Sequence, residues 1–163
     1  MYKKVCIIGE GITSLIITKM LLELNLKVDL ISESFFSSKK YDDRSLAISR
    51  TNFKYLEDLK ILSENKNYTW KIKKINLFNA KDDQKVSKIF DFRSKKNYPL
   101  FIMASYKDLV LNLKKKITKN SSLKVYSKKN ARTLLKNLSA CGKIYSNNYS
   151  LVINCNRSNI INN

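Results

Sequence analysis

The amino-acid sequence predicts an α/β fold that begins with a β-strand, an α-helix and a second, parallel β-strand. An apolar segment ends at Gly9, and from Ile12 to about Leu24 apolar residues recur at the three- and four-residue spacing of a helix. A second strand-like segment follows from Lys27 to Ser32. Two strands joined by one helix pair in parallel through a right-handed crossover, so the chain opens with a βαβ unit.

The composition is typical of one globular domain. The chain has 163 residues, of which 44% are hydrophobic and 10% aromatic, so it can bury a core of ordinary size. Lys19 and Glu23 interrupt the most apolar segment, and no signal-peptide pattern precedes the first strand. Histidine is absent, and the three cysteines lack CxxC spacing, which indicates reduced thiols and no metal site. We therefore expect a cytoplasmic protein without a transmembrane segment.

The net charge of +19 makes nucleic acid one class of ligand to consider. However, 27 of the 32 basic residues are lysines, and they are spread over nearly every segment. A run such as Asn112–Asn120 is typical of the solvated face of a helix. A basic nucleic-acid-binding protein stays the less favoured alternative, because it requires lysines clustered on one face and binding that weakens steeply with salt.

The rest of the chain predicts two further helices and a series of strands. The composition of Ser32–Ser49 favours a loop, and a helix follows from Arg50 to Leu62. Another helix is expected over Ser105–Ile117, with Ser105 as its N-cap. Strands are predicted at Trp70–Ala80, Lys85–Phe92, Tyr98–Ala104, Leu123–Tyr126, Arg132–Leu138, Lys143–Tyr145 and Leu151–Cys155.

The turn between the first strand and the first helix carries a nucleotide-binding motif. Its sequence, GEGITS, holds two of the chain's three glycines and matches GxGxxG, with Ser14 in place of the third glycine. In this motif the glycines close a tight turn, and free amides at the helix start hold a diphosphate. An acid about 20 residues further on binds the ribose hydroxyls, and here Ser32 takes that position with Glu33 beside it. The candidate cofactor-binding residues are Gly9, Gly11, Ile12, Thr13, Ser14, Ser32 and Glu33. The alternative is a βαβ unit whose glycines only close the turn.

Three later segments resemble one family of enzymes. DDRSLAIS, residues 42–49, resembles the DGRxxALS segment of flavin-dependent aromatic hydroxylases, and most closely those of ubiquinone biosynthesis that act on polyprenyl phenols. In that family the arginine that matches Arg44 contacts the flavin nucleotide. YPLFIMASYKDLVLNL is similar to a strand-and-helix passage of the family, with Lys107 where an arginine usually stands. YSLVINCNRSNI is similar to the family's DG motif, with Asn156 in place of aspartate and Arg157 in place of glycine.

The resemblance implies a Rossmann-like FAD-binding βαβ unit with additional β-strands from the start of a substrate sheet. Residues 1–163 would form a partial FAD-binding domain with a strand-rich insertion around residues 70–104, because family members are considerably longer and carry a second FAD motif that this chain lacks. It also implies FAD as cofactor, NAD(P)H as electron donor, and a peripheral place at the inner membrane as an alternative to the cytoplasm. Arg44 and Lys107 would lie at the nucleotide, and Asn156 would line the cofactor.

Two functions are open besides the nucleic-acid binder. The first is the FAD-binding part of an aromatic-ring monooxygenase, completed by a C-terminal half or by other proteins of the ubiquinone pathway. The second is a non-catalytic relic of this fold, or a partner subunit, which is favoured by the departures at Ser14, Ser32, Asn156 and Arg157. No catalytic acid or base is identified in the sequence, since the cofactor carries the chemistry in this family. Bound flavin distinguishes the first function from the others.

Overall fold

One parallel sheet of four strands and two separate antiparallel sheets make up the described fold. The structure is a computed structural model that describes residues 4–36, 43–62, 68–79, 87–94, 98–127, 130 and 149–156. In chain order, the elements are β1 (Lys4–Ile8), α1 (Ile12–Glu23), β2 (Lys27–Ile31), β3 (Ser45–Ile48), α2 (Arg50–Asp58), β4 (Thr69–Ile72), β5 (Lys74–Asn79), β6 (Ser87–Arg93), β7 (Phe101–Ser105), α3 (Tyr106–Ile117), β8 (Leu123–Tyr126) and β9 (Leu151–Asn154).

The chain divides into two units, one formed by Met1–Tyr41 with Val110–Asn163 and the other by Asp42–Leu109. The first unit contains the parallel sheet, in the order β8-β2-β1-β9. Every neighbouring pair is parallel, and Ile7 on β1 lies opposite Leu30 on β2 and Ile153 on β9. The predicted α/β fold and its opening βαβ unit are confirmed.

Both central strands of the parallel sheet are buried, as strands covered on two faces should be. Four of the five residues of β1 and four of the five of β2 are buried. Cys6, Ile8 and Ile31 form an apolar cluster on one face, together with half-buried Tyr126 and other residues around it. Because strand residues alternate between faces, Ile7 lies on the opposite face. The buried residues of α1 follow helical spacing and are Ser14, Leu15, Thr18 and Leu22.

The second unit is built around β7, the central strand of an antiparallel sheet in the order β3-β7-β4. Helix α2 contacts β7 and buries Phe53. Its N-cap is Ser49, whose hydroxyl oxygen accepts a hydrogen bond from the Asn52 N–H at 3.2 Å. Strands β5 and β6 form a separate two-stranded ribbon, with a register shift between Leu77 and Phe78.

The ribbon presents one apolar face to solvent. Ile75 lies opposite Phe92, and Leu77 lies opposite Phe90, so the four side chains share one face. Each is more than a third exposed, and the rings of Phe90 and Phe92 stack with centroids 4.5 Å apart. Within the described residues, neither strand pairs with a third strand. An isolated two-stranded ribbon is marginally stable in water, so this face is suited to contact with another apolar surface.

Some predicted element boundaries were wrong. The loop predicted over Ser32–Ser49 contains β3, which pairs with β7. Leu46 and Ile48 alternate with more exposed residues, as in a strand, but the segment is too short for this pattern to be recognised in the sequence. The single strand predicted over Trp70–Ala80 is two strands. The first, β4, ends before Lys73, and the second, β5, begins after it and belongs to a different sheet.

Of the two later predicted helices, one is shorter than expected and the other is found as predicted. The helix predicted to reach Leu62 ends at Asp58, because Lys60 takes a positive φ of 54° that no helix residue has. The helix predicted over Ser105–Ile117 is α3, and the Ser105 hydroxyl accepts from the Asp108 N–H at 3.3 Å, as expected of an N-cap. The strands predicted at Arg132–Leu138 and Lys143–Tyr145 lie outside the described residues, and the single partial domain over residues 1–163 stays a prediction.

Candidate functional site

Gly9 directly follows β1, and the packing of the protein around it requires glycine. Its φ is +153°, a value that side chains disfavour. A Cβ atom placed there would lie 2.9 Å from the Cβ of Cys155, 3.2 Å from the Cβ of Ser14 and 3.5 Å from Oδ1 of Asn156. Because β carbons are fixed to the backbone, the first two neighbours cannot swing aside. The Gly9 N–H also donates to the Ile31 carbonyl at 3.0 Å, which ties the turn to the end of β2.

Gly11, two residues on, lies in a different environment from Gly9. Its φ of −85° and ψ of 175° are open to any residue. A Cβ atom placed there would meet no heavy atom of the described residues within 4 Å. Neither backbone conformation nor packing within the described chain therefore requires glycine. Glycine is one of the residues common at helix N-caps, and at this position it also leaves room for the close approach of a group from outside the chain.

Three backbone amides immediately beyond Gly11 have no hydrogen-bond partner within α1. The first hydrogen bond along α1 runs from the Leu15 N–H to the Gly11 carbonyl at 3.3 Å, so the amides of Ile12, Thr13 and Ser14 precede it. Gly11 is the N-cap residue and has no side chain with which to accept from them. Three such amides at the positive end of a helix are suited to a phosphate group.

Ser14 fits the place of the third glycine. Its side chain is fully buried, and its hydroxyl donates to the Gly11 carbonyl at 2.7 Å. One turn further on, the Thr18 hydroxyl donates to the Ser14 carbonyl at 2.7 Å in the same manner. Both hydroxyls are thus satisfied within the helix, and small side chains let the helix lie close to the sheet. The departure at Ser14 does not disturb the turn.

The end of β2 differs from what the motif predicts. Ser32 is buried, and its N–H donates to the Tyr126 carbonyl at 2.9 Å, while Glu33 is half-buried. The carboxylate that bridges the two loops is that of Glu10, which accepts from the N–H of Ser34 at 2.8 Å and from its hydroxyl at 2.7 Å. Glu10 is not among the residues that the motif predicts, although a charged residue between the two glycines is a visible signal.

Asn156 lies at the turn that contains Gly9 and Gly11, called the Gly turn below, because β9 neighbours β1 in the sheet. The Cys155 N–H donates to the Ile8 carbonyl at 2.7 Å, which extends the pairing of β9 with β1. The Asn156 N–H donates to Oδ1 of Asn154 at 3.0 Å. The structure thus brings Gly9, Ser14 and Asn156 together from distant parts of the chain. Arg157 lies outside the described residues.

Arg44 and Lys107 belong to the second unit. The Arg44 guanidinium lies 4.0 Å above the centre of the Tyr106 ring. The backbone carbonyl of Arg44 accepts a hydrogen bond from the Tyr106 N–H at 3.1 Å. Both Arg44 and Lys107 are exposed to solvent, so both cations are accessible. The stacked guanidinium keeps its edge N–H groups available for a phosphate oxygen.

A buried polar cluster lies on the sheet face that carries Cys6. Asp29 is only 1% exposed, and its Oδ2 accepts from Lys4 Nζ at 2.8 Å and from the Tyr149 hydroxyl at 2.5 Å. Burial, and then the hydrogen bond to Asp29, raise the pKa of Tyr149 well above its ordinary range. The three residues come from β1, β2 and the segment before β9. The cluster therefore joins β1 and β2 to the segment that precedes β9.

We expect the Cys6 thiol to resist alkylation in the folded protein. Burial, and then the charge of Asp29, raise its pKa from an ordinary 9.0 to about 12. Since the folded pKa is the higher one, this thiol's contribution to stability is complete below 9.0 and is lost as the pH rises towards 12. Iodoacetamide labelling followed by peptide mass spectrometry measures the protection, with half-buried Cys155 and the urea-unfolded chain as references. Labelling of Cys6 at the unfolded rate would contradict the prediction.

The described residues contain no group of three or more histidine, cysteine, aspartate or glutamate side chains that could hold a metal ion. Among the described helices, none is long and apolar enough to cross a membrane.

Comparison with known proteins identifies the fold and not the family. No family model matches the sequence, and no curated protein does. Among solved structures, a variant of PqsL from P. aeruginosa superposes with a TM-score of 0.63 at 12% identity, covering 78% of this chain and 34% of PqsL. The p-nitrophenol 4-monooxygenase PnpA from Pseudomonas putida DLL-E4 gives 0.61 at 14% identity, with 77% and 32% covered. The chain thus spans about a third of the length of each. Its mixed α/β fold with a parallel sheet is similar to the fold of these two structures.

Proposed function

We propose that this chain is the FAD-binding part of an FAD-dependent aromatic-ring monooxygenase, of the ubiquinone-biosynthesis type. The observation that carries the proposal is Gly11, a glycine at a helix start that nothing in the described chain requires. The neighbouring amides offer the donors that a diphosphate needs. The resemblance of DDRSLAIS to the flavin hydroxylases supports FAD over other dinucleotides.

In this proposal each residue of the chain binds or orients the cofactor. The amides of Ile12 and Thr13 hold the diphosphate, and Gly11 allows it to approach. Arg44 and Lys107 supply positive charge for the phosphates, and Asn156 lines the cofactor. When bound, FAD supplies the redox and oxygen chemistry of ring hydroxylation, with NAD(P)H as the electron donor.

The proposed enzyme needs more polypeptide than this chain provides. The two solved monooxygenase-fold structures are about three times as long as the part that this chain covers. We infer a C-terminal half, or another protein of the same pathway, whose apolar surface packs on the exposed face of the β5–β6 ribbon. We propose the cytoplasm as the location of this protein, with a peripheral position at the inner membrane as the alternative.

A non-catalytic relic or partner subunit is the second candidate function. One specific observation favours it: Asn156 lies at the Gly turn where the resembling family has an aspartate, so that a charge is lost at the cofactor. This candidate predicts the same fold without retained flavin.

We expect Gly11→Thr to weaken FAD binding by roughly tenfold or more without lowering stability. The new side chain occupies the approach to the amides, and its oxygen can accept from one of them as a helix cap. Flavin fluorescence quenching measures affinity, absorbance after desalting measures retention, and thermal melting measures stability. Unchanged affinity in the variant would count against the site. A wild-type protein that neither retains nor quenches FAD would refute the proposed function.

A further inference from the structure

We propose that Glu10, and neither Ser32 nor Glu33, is the acid that binds the ribose hydroxyls of the bound nucleotide. The inference rests on the proposed function and names the residue that selects the nucleotide's ribose. It moves the selecting acid from the end of β2 to the Gly turn itself.

The position of the Glu10 carboxylate is set by two loops. Glu10 follows β1 directly after Gly9, and Ser34 follows β2. Parallel neighbours place their carboxyl ends at one edge of the sheet, which is where a dinucleotide lies across the strands. The hydrogen bonds at 2.8 and 2.7 Å from Ser34 hold the carboxylate between the loops. An acidic side chain that binds the ribose hydroxyls should lie at this edge, beside the diphosphate site at the start of α1.

The carboxylate retains the capacity to bind two hydroxyls. An ionised carboxylate offers about four lone-pair directions, and Ser34 uses one on each oxygen. As far as the described residues are concerned, one direction per oxygen is left, which matches the two neighbouring hydroxyls of a ribose. Glu10 is exposed, so a ligand can reach it. Because Ser34 already orients the group, binding costs less ordering of the side chain.

The two residues that the motif predicts are less suited to this role. Ser32 is 4% exposed and carries no charge. Glu33 is half-buried, and it is Glu10 that accepts both hydrogen bonds from Ser34. A negative carboxylate accepts hydrogen bonds from hydroxyls and repels a phosphate on the same ribose. Glu10 should therefore select nucleotides with an unmodified ribose over those with a 2′-phosphate.

The test compares Glu10→Gln with the matched variant Glu33→Gln. FAD affinity is measured by fluorescence quenching, and FAD is then displaced by ADP or by ADP carrying a 2′-phosphate. We expect Glu10→Gln to weaken FAD binding about tenfold and to lower the preference for ADP by a similar factor. Glu33→Gln should change both by less than about twofold. Ser34→Ala removes the bridge but keeps the charge, so it should retain the preference for ADP.

The outcomes separate this inference from the proposed function. FAD affinity and ADP preference that are unchanged in Glu10→Gln, or that fall in Glu33→Gln instead, overturn the assignment of Glu10 alone. A gain in FAD affinity in Glu10→Gln also overturns it, because the carboxylate would then oppose the diphosphate. A wild-type protein that does not bind FAD overturns the proposed function, and this inference with it.

Discussion

Replacing Gly9 by alanine is expected to lower the free energy of unfolding by about 3 kcal/mol. The added Cβ would approach the Cβ of Cys155 to 2.9 Å, closer than such atoms come in proteins, and the residue would have to keep a φ of +153°. Both costs fall on the place where β1, α1 and the end of β9 meet. Relaxation must therefore move a strand or the helix, since no flexible side chain can turn away.

Urea unfolding, followed by circular dichroism, measures this change. Gly11→Ala is the matched control, because its Cβ meets nothing within 4 Å and its φ is −85°. The free energy of unfolding of this control should lie within about 1 kcal/mol of the wild-type value, which is the usual difference between glycine and alanine at a helix cap. If the two variants were equally stable, the strict packing at Gly9 would be disproved.

Replacing Asp29 by alanine is expected to lower the free energy of unfolding by about 3 kcal/mol, which is the second large effect. Its carboxylate is 1% exposed and accepts from both Lys4 and Tyr149. Without it, the half-buried Tyr149 hydroxyl loses its acceptor, and Lys4, with a third of its side chain exposed, loses its counter-charge. The Lys4 ammonium can turn towards water, which keeps the cost below that of a fully buried pair.

The same urea titration tests the Asp29 cluster. Tyr149→Phe removes one donor and leaves the ion pair, so it should cost about 1 kcal/mol. The triple variant Lys4→Met, Asp29→Leu and Tyr149→Phe replaces all three polar groups by apolar ones, and it should regain most of the stability lost in Asp29→Ala. An Asp29→Ala protein as stable as the wild type would show that the cluster does not hold the strands.

The elements that the sequence predicted are those with local signals. Glycine scarcity drew attention to Gly9 and Gly11, and the helical spacing behind them identified α1 without any tertiary information. Strand β3 was missed because four residues give too little alternation within a polar segment, and its strand character depends on pairing with β7. The break at Lys73 was missed because both halves of that segment alternate well.

The parts of the candidate site that escaped prediction depend on long-range contacts. The two glycines look equivalent in sequence, and only the approach of Cys155 distinguishes the packed Gly9 from the open Gly11. The motif directed attention to Ser32 and Glu33, whereas the bridge to Ser34 comes from Glu10. The roles of Arg44 and Lys107 stay predictions, because they belong to the other unit.

The strand order has a consequence for synthesis on the ribosome. Central strand β1 is made first, but its second neighbour, β9, begins only at Leu151. At about 5–20 residues per second, one edge of β1 emerges roughly seven to thirty seconds before its partner. During that interval an apolar strand edge is available to chaperones or to misplaced pairing. Cys155 and Asn156 arrive later still, so the Gly turn acquires its packing only after almost all of this chain has left the ribosome.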